Sequence, residues 1–147
     1  MGEQGIAMVQ QGNDVVNWTT FGQTRSLIGN DFAKILGYYR DDAAKCVVAV
    51  EQAYKLRDAV GMVRPAHTLK GDSLQFGGEA MGRLAEHIEH SARRCVEEHS
   101  APDSLDVEIL RLRPLLIETL AQFERELKKT TAAAVPARHT GFGRKAG

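Results

Sequence analysis

Four stretches of this sequence set apolar residues three and four positions apart, and that repeat restricts the fold more than any other feature. The spacing matches the turn of an α-helix, so each stretch carries its apolar residues on one face. The first is a long helix from Ser26 through Leu27, Ile28, Phe32, Leu36, Tyr39, Ala43, Val47 and Tyr54. The second, roughly 59–76, is marked by Met62, Ala66, Leu69, Ser73 and Phe76 and ends at Gly77-Gly78. The third runs over 79–98 with Met81, Leu84, Ile88 and Ala92 inward, and the fourth carries Leu105, Ile109, Leu112, Leu116, Phe123 and Leu127 to about Lys129. Four amphipathic helices with short links hide their stripes most economically in an antiparallel four-helix bundle.

Upstream, Val15, Val16, Trp18 and Phe21 form a short apolar cluster, which predicts an additional N-terminal helix over one end of the bundle. The segment 130–147 is rich in Ala and Gly and has no apolar period, so a flexible, disordered tail is expected there. The chain thus divides into an N-terminal segment (1–25), the bundle (26–129) and the tail (130–147). Pro65 and Pro114 fall inside the second and fourth helices, where a missing N–H is expected to kink, bend or divide them.

With 19 basic and 19 acidic residues, the sequence gives no electrostatic reason to bind nucleic acid or an anionic membrane. Cys46 and Cys95 both lie in helical periods and read as packing residues. A basic region followed by an apolar run is absent from the N-terminus, and no apolar stretch is long enough to span a membrane, so a cytoplasmic location is expected.

The segment Ala66-His67-Thr68-Leu69-Lys70-Gly71-Asp72-Ser73 is where chemistry is concentrated. If Ala66, Leu69 and Ser73 face the core, then His67, Lys70, Gly71 and Leu74 project from the other side, with Arg64 one turn earlier. An accessible imidazole is largely neutral at cellular pH and nucleophilic at a ring nitrogen. Lys70, three residues on, can reach oxygens of a phosphoryl group carried by that ring. A mid-helix glycine costs about 1 kcal/mol relative to alanine, so Gly71 needs a reason, and clearance beside His67 supplies one. Asp72 adds negative charge nearby but should point away from the imidazole.

The stretch from Ala66 to Gly77 resembles the signature of the histidine-phosphotransfer domain family, Ala-His-x-Leu-Lys-Gly followed by small residues and a helix-ending glycine. The helix layout from Ser26 to Lys129 is similar to that family's as well. The resemblance implies that His67 is the phosphoacceptor, that Lys70 stabilises the phosphoryl oxygens and that Gly71 provides clearance. It further implies a phosphorelay intermediate, taking a phosphoryl group from the phosphoaspartate of one response-regulator receiver domain and passing it to another. An upstream, hybrid sensor histidine kinase would feed the relay, and Mg²⁺ would belong to the receiver. This chain would bind no cofactor and have no ATP-dependent kinase activity, since it has no Gly-rich phosphate loop ending in Gly-Lys-Ser/Thr. Val63, Arg64 and Leu74, which border His67, are the expected docking residues.

A non-catalytic adaptor that binds receivers is the main alternative, although an adaptor has no chemical need for His67 and Lys70. A dimerising module of a sensor kinase is disfavoured because no ATP-binding domain follows. His87, His90 and His99 are spaced so that a metal is conceivable, but solvated side chains are the simpler account and no metal site is expected. Arg138, Arg144 and Lys145 of the tail are assigned no function. A monomer is expected, because four helices can close their own core.

Overall fold

The computed structural model describes residues 14–142, with side chains through residue 129. Within it are helices α1 (Trp18–Ile28), α2 (Phe32–Lys55), α3 (Ala59–Gln75), α4 (Glu79–Glu98) and α5 (Asp106–Phe142), with a 3₁₀ turn at Gly29–Asp31 between α1 and α2. Among the described residues there are no strands. Helix α3 packs on α2 and α4, while α5 also packs on α2 and α4 and so lies diagonally across the bundle from α3. The links at 56–58, 76–78 and 99–105 are short, so sequential helices run antiparallel. The all-α bundle with a short extra N-terminal helix agrees with the apolar periods.

The core is the inner stripes brought together. Met62, Met81, Ala85, Ile88, Leu112, Val47 and Val50 lie wholly inside. Aromatic rings seal the end nearest the N-terminus: Phe21 sits 5.1 Å from both Phe32 and Phe123, and Tyr39 lies 5.4 Å from Phe76. The Tyr39 hydroxyl and the Ser73 hydroxyl share a buried hydrogen bond of 2.7 Å, which explains a serine on the apolar stripe of α3. Burial first, with smaller contributions from Asp72 and Cys46 set against that hydrogen bond, pushes the Tyr39 phenol up to about 12.

Several boundaries differ from the sequence expectation. Leu27 and Ile28, expected at the start of the long helix, belong to α1, and Leu27 is exposed. Gly29, at φ +79°, ends α1, and the long helix begins at Phe32 rather than Ser26. Pro65 and Pro114 do not divide their helices, which are continuous through both. Each proline leaves one carbonyl, that of Gly61 or Leu110, without its helical donor. Helix α5 continues through Phe142, well past Lys129. Over 130–142 the run Ala132-Ala133-Ala134 favours helix without needing an apolar face. Residues 1–13 and 143–147, the last including Arg144 and Lys145, lie outside the described residues.

At its start α1 is capped by Asn17, whose side-chain oxygen accepts from the Thr20 N–H at 3.1 Å. The segment before it is tied to the α3–α4 turn. The Asn17 N–H donates to the Gly77 carbonyl at 2.7 Å, Ala80 N–H to Val15 at 3.3 Å, and the Thr24 hydroxyl to the Gln75 carbonyl at 2.7 Å. Gly77 has φ +87°, and a Cβ there would come within 2.5 Å of the Asn17 carbonyl oxygen. Glycine is required both by the backbone conformation and by the approach of the N-terminal segment.

Candidate functional site

Helix α3 presents His67 outward in its middle, its side chain 59% exposed. The apolar stripe fixes that orientation, because Ala66 and Leu69 on either side are buried against the bundle. Across the α3–α4 interface, Glu89 of α4 is 3% exposed at its side chain, and its Oε2 lies 2.9 Å from His67 Nδ1. The Lys70 ammonium sits 3.0 Å from the other oxygen of the same carboxylate. Arg93, one turn along α4, donates to Oε2 from Nε at 2.9 Å and from its terminal nitrogen at 2.8 Å.

Burial of Glu89 favours its neutral form, but the contacts from Lys70, Arg93 and His67 outweigh it and hold the carboxyl down at about 2. An ionised carboxylate on Nδ1 fixes that nitrogen as the N–H donor, so the free lone pair belongs to Nε2, on the far side of the ring. The arrangement is an oriented, partly exposed imidazole backed by a buried anion and two cations. It suits nucleophilic attack by Nε2 on an electrophile arriving from solvent.

Of the residues expected from sequence, His67 and Lys70 come together, but through Glu89. In the resting protein Lys70 is an ion-pair partner of that carboxylate. Gly71 is exposed, and a Cβ at its position would meet nothing within 4 Å. The expected crowding of the imidazole is therefore absent in the resting site: a methyl group would not touch the ring, and the space beside it is open. Asp72 does point away, toward α2, where burial and then Asp42 push its carboxyl up.

Val63 and Arg64 line a shallow groove between α3 and α4, together with Val60, Arg93, Val96 and Glu97. Leu74 lies outside that groove, half spent on packing against Gly82 of α4, where a Cβ would collide with its side chain. His87 sits 3.5 Å from Glu108, and among the described residues no three His, Cys, Asp or Glu side chains converge as a metal site would require. Cys46 and Cys95 are free thiols. No helix among the described residues is long and apolar enough to cross a membrane.

Glu89 is the residue that sequence reasoning missed. Its signal was its position: four residues after Ala85 and three before Ala92, it stands on the buried side of α4, where a lone carboxylate needs a partner.

The sequence model of the Hpt domain family matches residues 34–131. The chain belongs to the Hpt domain family. Its fold is similar to that of histidine-containing phosphotransfer protein B (HptB) from Pseudomonas aeruginosa PAO1, with TM-score 0.69 and 17% identity over 80% of this chain and 97% of that one. It is also similar to the HPT domain of the Hpt sensor hybrid histidine kinase from Shewanella, with TM-score 0.61 and 22% identity over 78% of this chain and 95% of the other. No curated protein sequence matches the chain. Family membership places this Hpt protein in phosphotransfer within two-component signalling, and the helical bundle of the two solved domains is the fold found here.

Proposed function

We propose that this Hpt protein is a phosphorelay intermediate in the cytoplasm, with His67 as the phosphorylated residue and receiver domains as both donor and acceptor. The observation that carries the reading is the buried Glu89 carboxylate on His67 Nδ1, which leaves Nε2 as the outward nucleophile. The Nε2 lone pair attacks the phosphorus of the receiver's acyl phosphate. The P–O bond to the aspartate breaks, an N–P bond forms, and the carboxylate leaves. The proton stays on Nδ1, and the positive charge that develops on the ring faces Glu89. Transfer to a second receiver is the same step reversed.

Lys70 supports the reading because its ammonium, on a flexible side chain, is held 3.0 Å from the carboxylate that backs His67, where it can turn to phosphoryl oxygens on that ring while Arg93 still neutralises Glu89. The open space at Gly71 admits the phosphoryl group and the receiver's loops. Val63 and Arg64, with the groove they line, form one part of the docking surface and the exposed portion of Leu74 another. Mg²⁺ is supplied by the receiver, and this chain uses no cofactor of its own. The upstream source is a hybrid sensor kinase acting through its receiver.

The test is incubation of the purified protein with a panel of phosphorylated receivers and Mg²⁺. Acid-labile, alkali-stable label is expected on the wild type and none on His67→Gln. A receiver that binds without transferring label, where an established carrier is labelled, would replace this reading with that of an adaptor.

A further inference from the structure

The bundle uses one face of α5, that of Ile109, Leu112, Leu116 and Phe123, with Leu105 just ahead of the helix. The same helix carries a second apolar row with no partner. Val107, Leu110, Pro114 and Ile117 follow a three-four-three spacing, which Ala121 continues by four. Val107, Leu110 and Ile117 are 66%, 77% and 68% exposed, and Pro114 is exposed with them. Isolated exposed apolar residues are ordinary on any surface. A row about 21 Å long, counted at ~1.5 Å per residue, in the register by which two helices interlock is not.

We propose that this row is a self-association seam, occupied by the same row of a second copy running antiparallel. The flanking charges select that occupant. Arg111 and Glu118 border the row on one side, seven residues apart, and both are exposed. An antiparallel two-fold near Leu115 sets Pro114 against the second copy's Ile117 and Leu110 against its Ala121. The same operation brings Arg111 of each copy to Glu118 of the other, which gives two ion pairs from one residue pair.

On the other side of the row, Arg113 is already held by Glu51 at 2.7 Å and Asp106 by the Tyr54 hydroxyl. Glu118 is contacted from its own helix by Gln122 at 2.8 Å and Arg125 at 3.8 Å, exposed contacts it can exchange, whereas Arg113 and Asp106 are tied to α2, so a parallel pairing, which needs those two as partners for Glu118 and Arg111, is disfavoured. Because α5 lies diagonal to α3, its outer face looks away from His67, and both phosphotransfer sites of the dimer remain open to receivers. A single-helix seam covers less surface than the ~1,200 Å² at the low end of stable interfaces. The dimer is therefore of the weak, reversible class.

Sedimentation equilibrium of the full chain, from low-micromolar to near-millimolar protein, tests this without reference to His67. The weight-average mass is expected to rise from 16.1 kDa toward twice that value. Ile117→Glu should hold it at the monomer mass with unchanged helicity and unchanged phosphotransfer. Arg111→Glu should weaken association about tenfold, and the double exchange Arg111→Glu with Glu118→Arg should restore it to within about twofold. A monomer mass at every concentration overturns the proposal. So does association that survives Ile117→Glu, or a double exchange that fails to rescue the single one.

Discussion

Buried against α4 and contacted by His67, Lys70 and Arg93 at once, Glu89 joins the chemistry of this site to the stability of the protein. Its carboxyl is held at about 2, below the ordinary glutamate range. A carboxylate with a depressed value stabilises the fold fully above its unfolded pKa of about 4.3, and that contribution is lost as pH falls through the folded value. His67 and Arg93 are more than half exposed, so water screens part of the effect and roughly 1–3 kcal/mol is at stake. Denaturant melts of the wild type should therefore lose that much between pH 5 and pH 2, whereas Glu89→Gln should show a flatter profile over the same window. The same variant should slow phosphotransfer about tenfold or more, because a neutral amide supports a charged imidazole less well than a carboxylate does. Equal transfer rates for wild type and Glu89→Gln would reduce Glu89 to a packing residue. Gly71 gives an opposite pattern. Gly71→Ala meets no neighbour and should stabilise the helix by up to about 1 kcal/mol, whereas Gly71→Leu should fold but transfer poorly. Full transfer by the leucine variant would show that the space beside His67 is not needed.

At the scale of elements, the turn between α3 and α4 does more than end one helix. It sets the register in which Glu89 meets His67 and holds the N-terminal segment through the Asn17–Gly77 hydrogen bond. Gly77→Ala combines a left-handed backbone conformation with a collision against the Asn17 carbonyl, so a loss of more than about 2 kcal/mol is expected in urea unfolding. A loss below about 1 kcal/mol would mean that the N-terminal segment moves aside without cost. The glycines at 77 and 78 were legible as a stop signal, because Gly is the residue that tolerates the end of a helix. That 77 also accommodates a strand of backbone from sixty residues earlier was not legible, since nothing local in the sequence reports that approach. Whether a mid-helix proline divides its helix is likewise set by how the neighbouring helices hold the segment, and both helices here continue through it.

For the whole molecule, the aromatic cluster links α1, α2, the α3–α4 turn and α5 around Phe21, Phe32, Phe76 and Phe123. Phe123 is almost fully buried, so Phe123→Ala should cost about 3–5 kcal/mol and lower Tm markedly, with His67 chemistry unchanged at temperatures where the bundle stays folded. Loss of phosphotransfer in a folded Phe123→Ala protein would reveal coupling between that end of the bundle and the site. The helices and their inward faces were legible in the residue order alone, since a 3.6-residue period is a local property and burial of each stripe follows from it. So was the exposed placement of His67, because Ala66 and Leu69 commit the opposite side of α3 to the core. Which carboxylate stands behind the imidazole is a matter of helix packing. Residues 67 and 89 are far apart in the chain, and their meeting depends on the angle and register with which two helices pack, which no local pattern encodes.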